Sequence, residues 1–525
     1  MAQKSVFATE ELLSMILSHL SAPECARILR VDRAFFERGA DRVWGELSSP
    51  AGFFLLFCKG GFSVSARNRI ARGSWESSRQ YAKRVRKVTN FPEAYCEQSV
   101  RWTALDNLLS RAPVADDVRT IEVSWGLIGD SHPAVGDLVK LLLGPRTSRL
   151  KCIGSAHPGL AVDEARTILE RAEAAGSDLT DLVLTTEEAD HDEALVALAL
   201  QIGRFEQLVS VDLGDKLVRG SMLDRMRDLP FLRHLGLSLP PVNKGQHLWN
   251  FLTDEDDWTG QPFPSLRSLQ ISQSPCAAIL RFLSARPSLL GGLTKLRLSI
   301  FRLMGDHRNA GLPESFPPLV ELIASRAAAL EDLSIWFPDS AQPYALPPRL
   351  LARLFSLDLR SLAVHTARLP LSSGLALIDG KWPSLSDLVM PYQPAWPADL
   401  LLLAKREALR RLVVDVKAPG PGDEISISEL EVESSTVPMR LGGRFNMGEV
   451  GGGADDEAGR EAGDEAGREA GEKTTETMAR FLLRCWPRVS LAWRNRSPHY
   501  LFAEPSDAGY EALSKMIDKM RGYRS

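Results

Sequence analysis

The chain has 525 residues, of which 63 are basic and 67 acidic, for a formal net charge of −4. Its 44% hydrophobic and 25% charged content is that of a soluble globular protein, which excludes collagen-like and wholly disordered chains. A near-neutral balance also argues against a chain that is basic throughout for nucleic acid. Leucine is the outlier, at 77 residues or about 15%, so some part of the chain uses it periodically. The six cysteines (Cys25, Cys58, Cys96, Cys152, Cys276, Cys485) lie singly, with no CxxC pair. No disulfide framework or zinc site follows from that spacing, and a reducing setting, cytoplasm or nucleus, is expected. Glu10 and Glu11 stand where a signal peptide needs an apolar core. The longest strongly apolar run, residues 51–58, is far short of the roughly 20 that span a bilayer. No membrane segment is expected.

Residues 7–47 predict three short helices. Thr9 can cap the first, with Glu10 and Glu11 in its first turn, where the helix dipole favours negative charge. Leu12, Leu13, Ile16, Leu17 and Leu20 follow the i, i+3, i+4 rhythm of one apolar face. Ser21 and Glu24, three apart, form a capping box for the second helix, whose stripe is Cys25, Ile28 and Leu29. Val31, Phe35, Phe36, Val43, Trp44 and Leu47 supply a third apolar group. Forty residues cannot bury so many large apolar side chains internally, so part of that surface should dock on something else.

These residues resemble the F-box family. The run from Val6 to Leu20 is similar to its opening helix, Val31-Asp32-Arg33-Ala34-Phe35 to its "V-C/S-R-x-W" step, and Arg42-Val43-Trp44-Gly45-Glu46-Leu47 to its closing "l-W-x-x-L". The family's proline near the start is missing, Cys25 stands where leucine is usual, and Phe35 replaces tryptophan. The resemblance implies that Phe7, Leu12, Leu13, Ile16, Leu20, Cys25, Val31, Phe35 and Trp44 bind the Skp adaptor, and through it a cullin. The plainer alternative is a helical cap covering the start of a repeat array.

From residue 85 onward a short phrase recurs. Eight hexads have the form leucine, two polar residues, leucine, any residue, aliphatic, starting at Leu179, Leu232, Leu266, Leu293, Leu330, Leu359, Leu385 and Leu409. At this composition chance gives about 0.5 of them, so the repetition is real. Looser copies at Val85, Val118, Leu150 and Leu208 bring the mean spacing to about 29 residues. A strand of this kind turns its leucines inward, and 20 or so residues of helix and loop return the chain to lay the next parallel strand alongside. Residues 163–173 and 192–200 read as helices, and Pro264-Ser265 and Pro383-Ser384 lead directly into strands.

The pattern resembles the leucine-rich-repeat family, in its irregular, longer-repeat form often joined to an F-box. The fold class implied is α/β: a short three-helix F-box followed by an irregular solenoid of parallel strands and helices. Positions between the leucines face a partner, giving a central column of Val183, Asp212, Gly236, Gln270, Arg297, Ser334, Ala363, Val389 and Val413. Beside it stand Lys295, Trp336, His365, Asp387, Arg411 and Asp415. The mixture is no basic track, so nucleic acid is not expected. Arg297, Trp336 and Arg411 are of the types that dominate protein interfaces, and with His365 they are the candidate target-binding residues.

Eight basic residues against Glu76 between Arg67 and Lys87 read as a solvated linker, with a nuclear address or an anionic contact as the other uses. Residues 451–477 carry the octad DEAGREAG twice, with nine acidic and three basic residues, and predict a disordered insertion. After it, residues 478–486 read as helix, 489–493 as strand and 507–520 as a helical cap. The expected boundaries are 1–50 for the F-box, 51–84 for the basic connection, 85–440 for the repeats, 441–477 for the insertion and 478–525 for the last repeat and cap.

No phosphate-binding loop, nucleophile elbow, dinucleotide fingerprint or HExxH stands in the sequence. No catalytic residue, metal site or cofactor is therefore expected. The reading is a substrate-recognition subunit of a Skp-cullin-F-box ubiquitin ligase with an unknown protein target. The alternatives are a repeat scaffold independent of cullins and a regulator of an enzyme such as a small GTPase.

Overall fold

The computed structural model describes residues 10–28, 33–47, 81–89, 117–125, 139–140, 142–154, 161–186, 192–240, 262–301, 312–338, 343–369, 378, 380–417, 439–442, 445–446, 460–491 and 508–522. The chain forms two compact units, residues 1–240 with 247–266, and residues 241–246 with 267–525.

The first unit opens with helices α1 (Glu10–His19), α2 (Ala22–Ile28) and α3 (Arg33–Trp44). The predicted capping box is present: the backbone N–H and hydroxyl of Ser21 both donate to Glu24 Oε2, at 2.8 and 2.6 Å. Leu17 and Cys25 form a buried centre with Leu20 and Val43 packed against it. Strands β1 (Glu46–Leu47), β2 (Lys87–Thr89), β3 (Thr120–Trp125), β4 (Arg149–Gly154), β5 (Asp181–Leu184), β6 (Ser210–Leu213) and β7 (His234–Ser238) follow. Each pairs parallel with its successor in chain order, so every connection is a crossover of one sense of travel. Helices α4 (Val162–Ala174), α5 (Asp192–Gly203) and α6 (Gly220–Met226) provide returns, the first two lying where the sequence places them.

The second unit continues the scheme with β8 (Ser268–Pro275), β9 (Lys295–Phe301), β10 (Asp332–Trp336), β12 (Ser361–His365), β14 (Asp387–Ala395), β15 (Arg411–Lys417), β16 (Arg440–Gly442) and β18 (Ser490–Leu491), parallel and in that order. The short β11 (Tyr344–Ala345) and β13 (Ala367–Arg368) pair apart from this ladder, and β17 (Phe445–Asn446) pairs with β15. Its helices are α7 (Cys276–Ala285), α8 (Phe316–Arg326), α9 (Pro348–Leu354), α10 (Pro397–Ala404), α11 (Arg460–Cys485) and α12 (Ala508–Gly522). Proline occupies the first turn of α8, α9 and α10, where its missing N–H costs nothing.

All eight hexads lie on strands in one frame: the strand starts at the third position, and the first, fourth and sixth positions are buried. The fourth positions align strand to strand, Leu269 to Leu296 to Leu333 to Leu362 to Leu388 to Leu412. This buried ladder is what fixes register, because a slip of one residue would turn every leucine to the opposite face. Each unit is thus a parallel-strand α/β stack of the leucine-rich-repeat kind.

Four expectations need correction. The loose copy assigned to Leu150 starts three residues earlier: Leu150 pairs with Leu182, so Thr147 takes the first position. Thr147 is fully buried there and its hydroxyl donates to Val118 O at 3.0 Å, which is why a polar residue fits. The strand ladder begins at Glu46–Leu47, not at residue 85, since β1 pairs with β2. Trp44 and Leu47, the closing motif of the N-terminal segment, occupy the first and fourth positions of a repeat start.

The last two corrections concern charge. The end of the basic stretch is tied down, with Arg84 on Asp41 at 2.7 Å, Lys87 on Glu46 at 2.8 Å and Arg86 on Asp117 at 2.5 Å. Residues 460–477, predicted as coil, form the first turns of α11. Alanine, glutamate and arginine in the octad are strong helix formers, and their sum offsets a glycine at every fourth position once Met478, Phe481 and Leu482 anchor the helix in the core. Residues 441–459 lie largely outside the described residues.

Candidate protein-interaction face

The hexad frame turns the third and fifth positions toward one face, with Gly236 and Val389 buried among them, and the register aligns them into rows. In the first unit the third-position row is Glu46, Lys87, Thr120, Arg149, Asp181, Ser210 and His234. The fifth-position row is Thr89, Glu122, Lys151, Val183, Asp212 and Gly236. In the second unit the rows are Ser268, Lys295, Asp332, Ser361, Asp387, Arg411, Arg440 and Ser490, and Gln270, Arg297, Ser334, Ala363, Val389, Val413 and Gly442. Within each unit the central column inferred from sequence therefore lies along one row.

Neighbouring charges on the rows pair across strands. Glu46 and Lys87 meet at 2.8 Å, Arg149 and Asp181 at 3.6 Å, and Lys295 and Asp332 at 2.7 Å. Donating to the Glu46 carboxylate raises the Lys87 pKa above its ordinary value. Exposed pairs of this kind contribute little stability. Gly236 has a specific job: a Cβ there would stand 1.5 Å from Asp212 Oδ1, so glycine leaves room for that carboxylate, which meets His234 Nε2 at 3.3 Å.

The four candidate target residues lie on this face. Arg297 is exposed on β9 between Gln270 and Ser334. Trp336 ends β10 half-buried, opposite Ser299 on one side and His365 on the other, and the adjacent inward Phe337 stacks on Phe316 and Tyr344. His365 is half-buried, not an open surface histidine. Burial, and then the Arg411 guanidinium, hold its pKa below the ordinary 6.5. The unfolded chain therefore takes up a proton as pH falls through about 6.5 while folded His365 stays neutral, so stability present above that pH is lost below it. His365→Gln is expected to remove a slope of up to about 1.4 kcal/mol per pH unit in that window, read from urea midpoints of both proteins between pH 5 and 8.

The N-terminal residues divide. Phe7 and Val31 lie outside the described residues, as do the side chains of Leu12, Leu13 and Phe35. Ile16 is 40% exposed and its neighbour Met15, which the sequence pattern did not single out, is 53% exposed. Cys25 is not a surface contact: it is fully buried with Sγ 3.8 Å from Leu17 O, and Leu20 packs beside it. Trp44 is half-buried against Tyr81, at 5.5 Å between ring centroids, and Phe36 meets the same ring edge-on at 5.7 Å. One aromatic residue ahead of β2 thus holds the end of α3 against the first repeat. Nothing in the linear pattern marks Tyr81, because its partners are 37 and 45 residues away.

Among the described residues no group of three or more His, Cys, Asp or Glu is placed to hold a metal ion. No described helix is long and apolar enough to cross a membrane. Cys25, Cys152, Cys276 and Cys485 are buried free thiols, and burial pushes Cys276 up to about 11 and Cys485 up to about 12. Thiols held protonated in this way are poor nucleophiles.

No family model matches the sequence, and no curated protein matches it. Among solved structures the chain is similar to that of a TLR13–ssRNA13 complex, with a TM-score of 0.22 and 11% identity over 68% of this chain and 61% of that one. It is also similar to the plant peptide hormone receptor RGFR1 in complex with RGF2, with a TM-score of 0.20 and 11% identity over 69% of this chain and 61% of that one. The chain spans 61% of the length of each. Similarity this low adds nothing to the strand register, on which the repeat assignment rests.

Proposed function

We propose that this chain is a non-catalytic interaction subunit that holds a target protein on the outward face of its strands. The observation that carries the reading is the frame itself. A buried ladder of leucines leaves the third positions and most fifth positions outward for recognition, and the face they make with Trp336 and His365 at the strand ends mixes arginine, tryptophan, histidine and small residues. Repeat folds use such a surface because outward positions can vary while the inward ones keep the fold.

The finer reading is a subunit of a Skp-cullin-F-box ubiquitin ligase, with α1–α3 docking the adaptor. It is supported by the F-box resemblance and by Met15 and Ile16, adjacent large apolar side chains left exposed on α1. Adaptor co-purification tests it. The wild type is expected to bring down the Skp adaptor, and Met15→Glu with Ile16→Glu to lose it at least tenfold without a change in thermal midpoint, since neither side chain is in the core. No adaptor with the wild type removes the ligase reading and leaves the interaction reading in place. The second reading, a scaffold whose helices cap the repeats, is favoured by β1 pairing directly with β2 and by Tyr81 holding Phe36 and Trp44.

A further inference from the structure

The outward rows differ in charge between the two units. In the first unit the described charges on the rows meet a partner: Glu46 with Lys87, Arg149 with Asp181, Asp212 with the His234 imidazole, and Glu122 beside Lys151 in register. In the second unit Lys295 meets Asp332 at 2.7 Å on the row, and at the end of β15 Lys417 meets Asp415 at 2.8 Å. Three arginines then remain. Among the described residues Arg297, Arg411 and Arg440 have no carboxylate within ion-pair distance; Arg411 stands beside Asp387 in register, whose carboxylate accepts from the Ser386 hydroxyl at 2.6 Å, while Arg297 lies between Gln270 and Ser334 and Arg440 between Arg411 and Ser490. Between Arg297 and Arg411 the central row is uncharged: Ser334, Ala363, Val389 and Val413, with Trp336 and His365 alongside.

Four strand steps separate β9 from β15, about 19 Å at the usual strand spacing. An extended chain covers that distance in about six residues. We infer that the outward face of the second unit takes an extended acidic segment of a partner protein, one carboxylate group at Arg297, another at Arg411 and Arg440, and uncharged side chains over the strip between. This assignment rests on the sheet face being the target surface. Arginine suits the role because its planar fork grips carboxylate through two hydrogen bonds. The small Ser334 and Ala363 let a backbone approach, while the half-buried Val413 offers apolar contact. A nucleic acid is a poorer match, since its evenly spaced phosphates would meet Asp332, Asp387 and Asp415 on the same face.

Panning the full-length chain against a phage-displayed library of random peptides about twelve residues long, twice the span needed, tests the inference directly. The enriched pool is expected to contain at least twice the input frequency of aspartate and glutamate. Synthetic peptides from it, followed by fluorescence anisotropy, are expected to bind at least tenfold more weakly to the Arg297→Glu, Arg411→Glu variant, and to bind Arg326→Glu, exposed at the end of α8 and off the face, as they bind wild type. All three arginines are at the surface or half-buried, so circular dichroism and the thermal midpoint confirm that both variants fold. An enriched pool without acidic bias, or one that binds both variants equally, overturns the assignment. So does tighter, arginine-dependent binding of a single-stranded oligonucleotide of matching length. If the double variant loses the peptides yet keeps every proximity-labelled partner of the wild type, the acidic-segment assignment falls while the interaction reading stands. A wild type with no proximity-labelled partners overturns both.

Discussion

Leu333→Ala is expected to cost about 2–5 kcal/mol of stability, whereas Ser334→Ala, one residue further along the same strand, changes it by no more than about 0.5 kcal/mol. Leu333 is fully buried at the fourth position of its hexad and is flanked in register by Leu296 and Leu362. Removing its isobutyl group forfeits the transfer energy of the lost carbons and leaves a gap that the neighbouring leucines, fixed by their own strands, fill only in part. Ser334 points the other way, half-buried on the face. Because neighbouring repeats are coupled mainly to each other, the loss should be concentrated in β9, β10 and β12. Hydrogen exchange is the appropriate measurement: amide protection in those strands falls for Leu333→Ala and holds for Ser334→Ala. Equal effects at both sites would contradict the inward and outward assignment.

The second large effect is at the far end of the chain. Trp486→Ala is expected to cost about 3–5 kcal/mol, and Trp486→Phe much less. Trp486 is fully buried after the end of α11, its N–H donating to Leu482 O at 2.8 Å and its carbonyl accepting from Val489 N at 2.9 Å, just ahead of β18. Its indole Nε1 has no hydrogen-bond partner among the described residues. Phenylalanine keeps most of the apolar contact and removes the unsatisfied donor, so its two effects oppose each other. Arg521 on α12 donates to the Val489 carbonyl, which ties the two terminal helices to the same turn. Denaturant midpoints of the three proteins decide the matter; a Phe variant as unstable as the Ala variant would mean that the indole nitrogen has a partner.

Much of this architecture is written plainly in the chain. Eight hexads locate eight strands in one frame, because alternation with period two specifies both the strand and its buried face. The failures have physical causes. Thr147 hides a repeat start because a buried hydroxyl, satisfied by a carbonyl, does the work of a leucine. The first strand hides in Trp44-Gly45-Glu46-Leu47, whose pairing partner lies 41 residues away, across a segment with no periodicity. The octads read as coil from glycine content and charge, but a helix anchored at its C-terminal end by Met478 and Phe481 extends back through them to Arg460. Register shifts come in β8, where Ser272-Gln273 stand against the single Ser299, and in β14, where residues 390–393 stand against the single Val414, insertions that the leucine frame does not reveal.

The candidate site was less legible than the fold. Positions on the outward rows follow from the frame, but which charges pair there does not. Lys295 and Arg297 look alike in sequence, yet the first is held by Asp332 and the second is not. At the N-terminus, Cys25 and Ile16 both belong to an apolar stripe, and only packing separates the buried thiol from the exposed side chain.

The central claim is that a protein partner sits on the outward face of the strands. Site-specific photo-crosslinking in cells tests it most directly, with a photoreactive residue at Ser334 or Ala363 on the face and at Glu321 or Ala352 on α8 and α9. Crosslinks to one partner protein from both face positions, with none from the helices, are the predicted result. Crosslinks from Glu321 or Ala352 alone would contradict the account.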